Sequence, residues 1–402
     1  ASWTRLSNGS NGIPDDHFVR VVREDPDRKG LLYAGTEFGM YVSFNDGASW
    51  KPFQLNLPIT PITDLAVKRG DLVVATQGRA FWILDDLSPL HQMTDEVADA
   101  EYHLFDPRQV VRWVDQSGGG GRGSVGQNPP FGAIIHYKLP AGLDEEEAAE
   151  VKLEILDADG EVLRTLSSKN PEYRAPSRWR RLYPELDEPS LLDARAGANR
   201  YVWSLTLGDA GLVDDAVLWG WPGGPTVPPG TYQARLTVGE WSDTATFEVV
   251  QDPRTDVSQQ AMVEQYELAR AVWKELTRSH EAIDRIRDLR GQLETIAGRT
   301  DNEVIAEKAE AIADSLTTIE EKLHQTKAES SQDVLNFPPR IDNQLLYLQG
   351  IVESTVGAPT DGMTARFNEL QTELDAMVAD VDAIIVDQLP ELEQLLEGEG
   401  VS

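Results

Sequence analysis

An internal repeat within residues 1–90 constrains the fold of this 402-residue chain more than any other feature. The octet at 43–50 reads Ser-Phe-Asn-Asp-Gly-Ala-Ser-Trp, and residues 1–3 repeat its last three positions. Residues 35–37 likewise match residues 75–77, and an apolar run follows each. The offset is about 40–47 residues, and each unit contains short β-rich runs. A period of this length with four strands per unit is typical of β-propeller blades. Because the first copy begins inside the octet, we expect residues 1–90 to be incomplete, terminal blades of a longer propeller.

The octet predicts a structural turn rather than a binding site. Short polar side chains hydrogen-bond backbone amides across such turns, glycine permits a positive φ, and the final tryptophan fills apolar space between blades. The residues with these structural roles are Ser43, Asn45, Asp46, Gly47, Ser49 and Trp50. An open set of blades leaves strand edges unpaired. We therefore expect the remaining propeller blades, from the same precursor or a separate chain, as partners.

The charge of the chain excludes several classes of partner. The formal net charge is −32 at pH 7, which repels nucleic acid and anionic membranes. Both a high-salt habitat and an acidic secreted protein are compatible with this charge. The chain has no cysteine, which excludes disulfides and thiolate metal sites. No apolar run has the length of a membrane span, and no residue pattern indicates a metal ion or cofactor.

Residues 91–128 are predicted as a linker and residues 129–255 as an immunoglobulin-like β-sandwich. The glycine run at 117–123 lacks the lysine and hydroxyl residues of a phosphate-binding loop. Strand-like segments follow at Ala133–Leu139, Val151–Leu156, 162–166, 201–205, 232–238 and 245–250. Residues 157–160 are predicted as a hairpin turn rather than a calcium loop, because the later ligands are missing. The polar stretch 171–193 is predicted as an insertion loop.

Residues 256–402 change to helical spacing and are predicted as an acidic, antiparallel four-helix bundle. Apolar residues recur at steps of three and four in stretches that start at Met262, Ile305, Ile341 and Met363. Glycine and proline separate these stretches, and we expect the first and last helices to have about 35 residues each. From Ile341 onward Arg366 is the sole base among thirteen acids. This predicts a solvated acidic face or, alternatively, a site for a basic partner or a cation layer.

Up to residue 254 the chain resembles the C-terminal part of bacterial BNR (Asp-box) repeat proteins with a sortilin-like, VPS10-type β-propeller, often labelled glycosyl hydrolases. The residues that carry the resemblance lie at 43–50, 75–86, 128–132, 197–203, 229–232 and 252–254. The octet departs from the Asp-box pattern, since Asn45 takes the aspartate position and Ser49 replaces threonine. The resemblance implies an exported bacterial protein, secreted, periplasmic or at the cell surface, whose propeller comes first and is larger.

The resemblance also implies where a ligand binds. In such propellers the box lies opposite the ligand face, so the hairpins between the second and third strands are expected on the ligand side. Glu37 and Arg79 are the charged residues of these two hairpins and become the ligand-face candidates. The plainer interpretation is that both are solvated turn residues.

Two functions of different classes remain open. The first is a non-catalytic extracellular binding or scaffold protein with a protein or glycan ligand. The second is an accessory part of a propeller glycoside hydrolase whose active site lies largely in upstream blades, where Glu37 supplies one of two carboxylates about 5–10 Å apart. Asp85 and Asp86 are predicted to point to opposite faces of one strand, so they do not form this pair. We expect the first function, because the sequence shows no catalytic constellation and fold analogy is a weak argument.

Overall fold

The computed structural model describes residues 5–113, 126, 128–143, 145, 147–176 and 191–399. The strands are β1 Val19–Glu24, β2 Leu32–Thr36, β3 Gly39–Ser43, β4 Lys51–Pro52, β5 Ile62–Lys68, β6 Asp71–Thr76, β7 Phe81–Leu84, β8 His103–Leu104, β9 Val110–Arg112, β10 Ala133–Leu139, β11 Val151–Leu156, β12 Val162–Ser167, β13 Gly197–Trp203, β14 Gly230–Val238 and β15 Trp241–Gln251. The helices are α1 Ser88–Gln92, α2 Asp95–Asp99, α3 Gln259–Arg299, α4 Glu303–Leu323, α5 Ile341–Glu353, α6 Asp361–Ala383 and α7 Leu389–Glu399, with a short 3₁₀ helix at Ser331–Leu335. The fold therefore mixes several β-sheets with long helices near the C-terminal end. No helix in these ranges combines the length and apolarity needed to cross a bilayer.

The repeat within residues 1–90 folds as two consecutive antiparallel sheets. The first has the strand order β1-β2-β3-β4 and the second has β5-β6-β7. In both sheets a bulge shifts the register of the first strand, after Val19 and after Ile62. Side chains of both sheets, including Tyr33 and Leu65, pack in one core. The expectation of four strands per unit is wrong for the second sheet, because the chain enters α1 after β7, where Pro89 suits a first helical turn.

The opposite face of the first sheet packs against the N-terminal segment. Trp50, which is 5% exposed, lies there with Ile13 and Leu32. Its indole Nε1 donates to Leu6 O at 2.8 Å, and its backbone N–H donates to Asn11 O at 2.7 Å. Trp50 therefore fills the space between the first sheet and this segment, and not the space between the two described sheets as predicted.

Residues 95–112 are not part of a linker, contrary to the prediction for 91–128. They form α2, β8 and β9, and these strands join two sheets of order β13-β10-β8 and β12-β11-β14-β15-β9. β9 runs parallel to β15, with Val110 opposite Val249. Both valines are buried in a core that also holds Tyr137 and Trp203. Burial in this core explains why so short a segment becomes a strand, since two or three residues show no periodicity in the sequence.

Some of the strands predicted for this region have the predicted bounds, and others differ: β13 is Gly197–Trp203, whereas the predicted strand is 201–205. Strands β10 and β11 have the predicted bounds, and the predicted hairpin turn joins β11 to β12. In that turn Asp157 Oδ1 accepts hydrogen bonds from the N–H groups of Asp159 and Glu161, at 3.0 and 2.8 Å. The repeat copy at 1–3, the glycine run at 117–123 and positions 177–190 of the predicted insertion loop lie outside the described residues.

Each predicted apolar stripe of the C-terminal region lies on a helix. The Ser258 hydroxyl caps α3 by accepting from Ala261 N–H, and α3 packs against α4, α5 and α6. At 41 residues, α3 is longer than expected. A π-helical turn at Ile384–Gln388 divides the last predicted helix into α6 and α7. Pro390 explains this turn, because it lacks the N–H that would bond to the carbonyl four residues earlier.

Some acids of the last helices have basic partners within the chain. Arg278 and Arg285 of α3 contact Asp375 and Asp382 of α6, at 2.5 and 2.7 Å. The acidic face predicted as solvated, or as a site for a basic partner, is thus partly matched by the chain's own first long helix. Exposed pairs of this kind contribute less than about 1 kcal/mol each. Their contribution to the stability of the helical region is therefore small.

Candidate functional site

Glu37 lies at the tip of the hairpin between β2 and β3. Its carboxylate accepts hydrogen bonds from Arg20 of β1, at 2.9 Å from Nε and 2.5 Å from Nη2. Its backbone N–H donates to Phe18 O, which closes the tip against the start of β1. The carboxylate therefore has a partner on its own sheet, and nothing in these contacts favours the acid role that a hydrolase requires.

Arg79 lies in the equivalent hairpin between β6 and β7. Its N–H donates to Thr76 Oγ1 at 3.1 Å, and its carbonyl accepts from Trp82 Nε1 at 2.9 Å. Gln77 N–H donates to Pro61 O in the same way as Glu37 donates in the first sheet, so the two tips are built alike. The Arg79 side chain is exposed and forms no ion pair with any residue that the structure describes. Of the two predicted candidates, it is the one available to a ligand.

The octet forms the turn between β3 and β4. Asn45 Oδ1 accepts from Ser49 N–H at 2.9 Å and from Ser43 Oγ at 3.0 Å. Gly47 N–H donates to Ser43 Oγ at 2.9 Å. Asp46 and Gly47 have φ angles of 58° and 81°, a region that glycine occupies without strain. The polar side chains of Ser43, Asn45 and Ser49 bond within the turn itself, which is a structural arrangement.

Asp85 and Asp86 follow β7, so the prediction that they lie on opposite faces of a strand is wrong. Asp86 is buried and has a φ of 67°. Its Oδ1 accepts a hydrogen bond from Ser88 N–H at 3.0 Å, and its Oδ2 lies 3.5 Å from Nε2 of His136 on β10. Burial by itself would raise the pKa of Asp86. The contacts with His136 and Ser88 lower it by more, so the pKa of Asp86 lies below its usual value. Burial, with the charge of Asp71, raises the pKa of Asp85. The Asp86 contact ties the second sheet to the sheet that contains β10.

One face of the second sheet is apolar and exposed. Phe81 and Ile83 of β7 are 76% and 60% exposed. They pair in register with Ala75 and Val73 of β6, so the four side chains share one face, which we name the outer face. β7 is also the edge strand of its sheet. An apolar face beside an unpaired strand edge is the kind of surface that docks another element. The predicted site residues do not include Phe81 or Ile83, although the unbroken apolar run at 80–84 is a signal for a strand covered on both faces.

A buried carboxylate, Asp25, joins α1 to the first sheet. Its Oδ2 accepts from Tyr33 Oη at 2.8 Å and contacts His91 Nε2 at 3.0 Å, and its Oδ1 accepts from Asp27 N–H at 2.9 Å. Burial raises the pKa of Asp25, but the hydrogen bonds, first that of His91, lower it below its usual range. The ligand atoms of Asp25, Asp27 and His91 lie within 4.8 Å of one another, as in a cation site. Protein donors already contact both oxygens of Asp25. We therefore interpret Asp25, Asp27 and His91 as a structural network and not as a cation site.

A second buried polar cluster lies among the helices. His280 of α3, His324 after α4 and Asp342 of α5 are 1%, 3% and 0% exposed. Asp342 Oδ2 lies 2.6 Å from His324 Nδ1 and 3.6 Å from His280 Nε2. Val213 N–H donates to His280 Nδ1 at 3.3 Å. Burial lowers the pKa of His280 to about 4, and the charge of Asp342 opposes this shift. Burial this complete is typical of a structural network and not of a substrate site.

Comparisons with known proteins leave the family open. No family model matches the chain, and no curated protein matches it. The extracellular domain of a putative hybrid two-component system from B. thetaiotaomicron shares 9% identity over 60% of this chain and 26% of that chain, with a TM-score of 0.16. The match thus spans about a quarter of that structure. A solved chain described as pT26-6p shares 10% identity over 69% of this chain and 90% of that chain, with a TM-score of 0.13. At these TM-scores neither likeness bears on fold or function.

Proposed function

We propose that the chain is a non-catalytic binding or scaffold protein of the cell exterior or periplasm. In this proposal the two N-terminal sheets are terminal blades of a larger sortilin-like propeller. The sheets built from β8 to β15 form an immunoglobulin-like sandwich, and α3 to α7 form a four-helix bundle whose last helix is divided. The position of the octet between β3 and β4 supports the blade assignment, because in Asp-box propellers the box joins the third and fourth strands.

The observation that carries this proposal is the outer face of the second sheet. Phe81 and Ile83 lie in an unbroken apolar run, a composition typical of a strand that is covered on both faces. Trp82 and Leu84 pack into the core shared with the first sheet, whereas Phe81 and Ile83 face solvent. Burying each of these two side chains stabilises by about 1.5–3 kcal/mol. The occupant that fits is another antiparallel sheet of the same kind, from the same precursor or a separate chain.

The contacts of the predicted ligand-face residues favour binding over hydrolysis. A glycosidase needs two carboxylates that face one another across the scissile bond. Glu37 is paired with Arg20, and Asp86 is held at the contact with β10. Arg79 keeps an exposed guanidinium that suits an anionic or sugar ligand. The hydrolase alternative therefore requires its carboxylates from upstream blades.

A single introduced thiol tests the docking of the outer face, because the chain has no cysteine of its own. We expect Ile83→Cys to react rapidly with a maleimide in the isolated 402-residue chain. In the native assembly purified from its source, it should react at least about tenfold more slowly, since a neighbouring sheet covers it. Val386→Cys is the matched control, because Val386 is 69% exposed in the π-helical turn, and it should react rapidly in both forms.

Equal labelling of Ile83→Cys in both forms would contradict the proposal. The intact mass of the native protein then identifies the source of the covering sheet. A native mass well above 44.5 kDa with a protected thiol assigns further blades to the same precursor. A mass of 44.5 kDa with a protected thiol assigns them to a separate chain.

A further inference from the structure

A cavity lies where β9, the first turns of α3 and the end of α5 meet. Its volume is about 190 Å³, close to that of six water molecules at roughly 30 Å³ each. The walls combine one base, one acid, one buried amide and three aromatic rings: Arg112, Glu353, Gln265, Trp113, Phe131 and Tyr266. Aromatic walls with a few polar groups are the usual lining of small-molecule sites, and this volume limits an occupant to one small molecule.

Arg112 supplies a positive charge that the described residues leave without a carboxylate partner. It is the last residue of β9, and its Nη1 contacts Met262 Sδ at 3.7 Å. Its Nε is buried and has no hydrogen-bond partner within the described ranges. Burial lowers the pKa of Arg112, and the charge of Glu353 opposes this shift. A guanidinium stays charged in proteins and presents its donors in a planar fork, which matches a carboxylate.

Gln265 supplies an acceptor that is fixed in place and unpaired. The side chain is 3% exposed. Its Nε2 donates to the carbonyls of Val352, at 2.7 Å, and of Thr355. Because carbonyl oxygens only accept hydrogen bonds, these two contacts identify the atom facing them as Nε2 and the other as Oε1. In the part of the chain that the structure describes, no group donates to Oε1. A buried acceptor left in this state costs free energy unless a ligand supplies the donor.

Glu353 adds a negative charge next to this acceptor. It directly follows Val352, which accepts from Gln265, and its Oε1 accepts from Thr226 N–H at 2.9 Å. A carboxylate has about four lone-pair positions, so it can accept further donors. No nitrogen of Arg112 lies within ion-pair distance of Glu353 in the described structure, although both line the cavity. Within the described structure the two charges therefore do not form an ion pair with each other.

We propose that this cavity binds a free α-amino acid with an apolar or aromatic side chain. The ligand carboxylate pairs with Arg112, and its ammonium donates to Gln265 Oε1 and Glu353. The ligand side chain packs against Trp113, Phe131 and Tyr266, where the first two rings already meet edge to face at 5.4 Å. Such a zwitterion places a negative charge at Arg112 and a positive charge at Glu353 at once, whereas a neutral sugar offers hydrogen bonds but no charge. The cavity shares no residue with the outer face of the second sheet.

Isothermal titration calorimetry with the 402-residue chain tests the ligand class. The probes are L-leucine and L-phenylalanine, their amides, their N-acetyl derivatives, and the monosaccharides glucose and N-acetylglucosamine. We expect one binding site for the free amino acids. Removing either charge of the ligand should weaken binding at least about tenfold, because each charged hydrogen bond is then lost. Sugar binding without amino-acid binding, or no binding by any probe, would overturn the proposal.

Variants separate a ligand-binding role from a structural one. Arg112→Met and Gln265→Met should each weaken amino-acid binding at least about tenfold, with Arg254→Met outside the cavity as the control that binds normally. The ligand-free melting temperature of Arg112→Met should equal or exceed that of the parent, since a base without a partner is removed. A melting temperature lower by more than about 3 °C, or unchanged affinity in both cavity variants, would contradict the assignment.

Discussion

We predict that the buried His280 makes the helical region sensitive to mild acid. The pKa of His280 is lowered from 6.5 to about 4 by burial, with Asp342 and Asp215 opposing the shift and His324 and Arg287 adding to it. Below pH 6.5 the unfolded chain binds a proton that the folded chain does not bind. Stability is therefore lost as the pH falls from 6.5 towards 4. One pKa unit corresponds to 1.36 kcal/mol, so this histidine alone removes about 2 kcal/mol between pH 7 and pH 5.

Denaturant unfolding followed by helical circular dichroism at pH 7 and pH 5 measures this loss. We expect His280→Gln to lose about 2 kcal/mol less than the parent over this interval, because glutamine does not titrate and still offers an acceptor to Val213 N–H. His17→Gln, located before β1 and outside the helices, is the matched control and should keep the full loss. Equal losses in His280→Gln and the parent would refute the assignment of the acid sensitivity to this residue.

Three further predictions concern the first sheet, the charge and catalysis. Trp50→Ala should lower the unfolding free energy by about 3–5 kcal/mol in denaturant titrations. The control Trp221→Ala, at an exposed tryptophan, should change it by less than about 0.5 kcal/mol. Equal effects of the two substitutions would contradict the packing of Trp50. The helical melting temperature should rise from low to molar salt as self-repulsion of the −32 charge is screened, and a flat or falling midpoint would count against this. The chain should hydrolyse no member of a panel of aryl glycosides and polysaccharides, and turnover that Glu37→Gln abolishes would favour the hydrolase.

Local patterns predicted those elements whose own residues determine them. Alternating polarity gave the bounds of β10 and β11, and helical spacing placed the stripes of α3 to α6. The turn residues at 157–160 gave the hairpin, because Asp157 bonds to the backbone that directly follows it. In each case the determining interactions lie within a few residues, so the sequence alone contains them.

Features that depend on distant residues were not predictable in the same way. β9 is a strand because Val110 is buried opposite Val249, and three residues carry no periodic signal. The pairing of Glu37 with Arg20 depends on strand register. The cavity brings together Arg112, Gln265 and Glu353, which are more than eighty residues apart in the chain. The π-helical turn at Ile384–Gln388 is an exception. Its cause, Pro390, lies within the last predicted helix and is evident from the sequence alone.

Hydrogen–deuterium exchange at β7 tests the central claim most directly. In the isolated chain, Phe81–Leu84 is an edge strand paired on one side with β6, so those of its amide groups that face away from β6 should exchange rapidly. In the native assembly we predict slow exchange across this strand, because another sheet element pairs with its edge and covers the outer face. Peptides from β6, which is paired on both sides, should exchange slowly in both forms. Rapid exchange of β7 in the native assembly, at the rate of the isolated chain, would contradict the account.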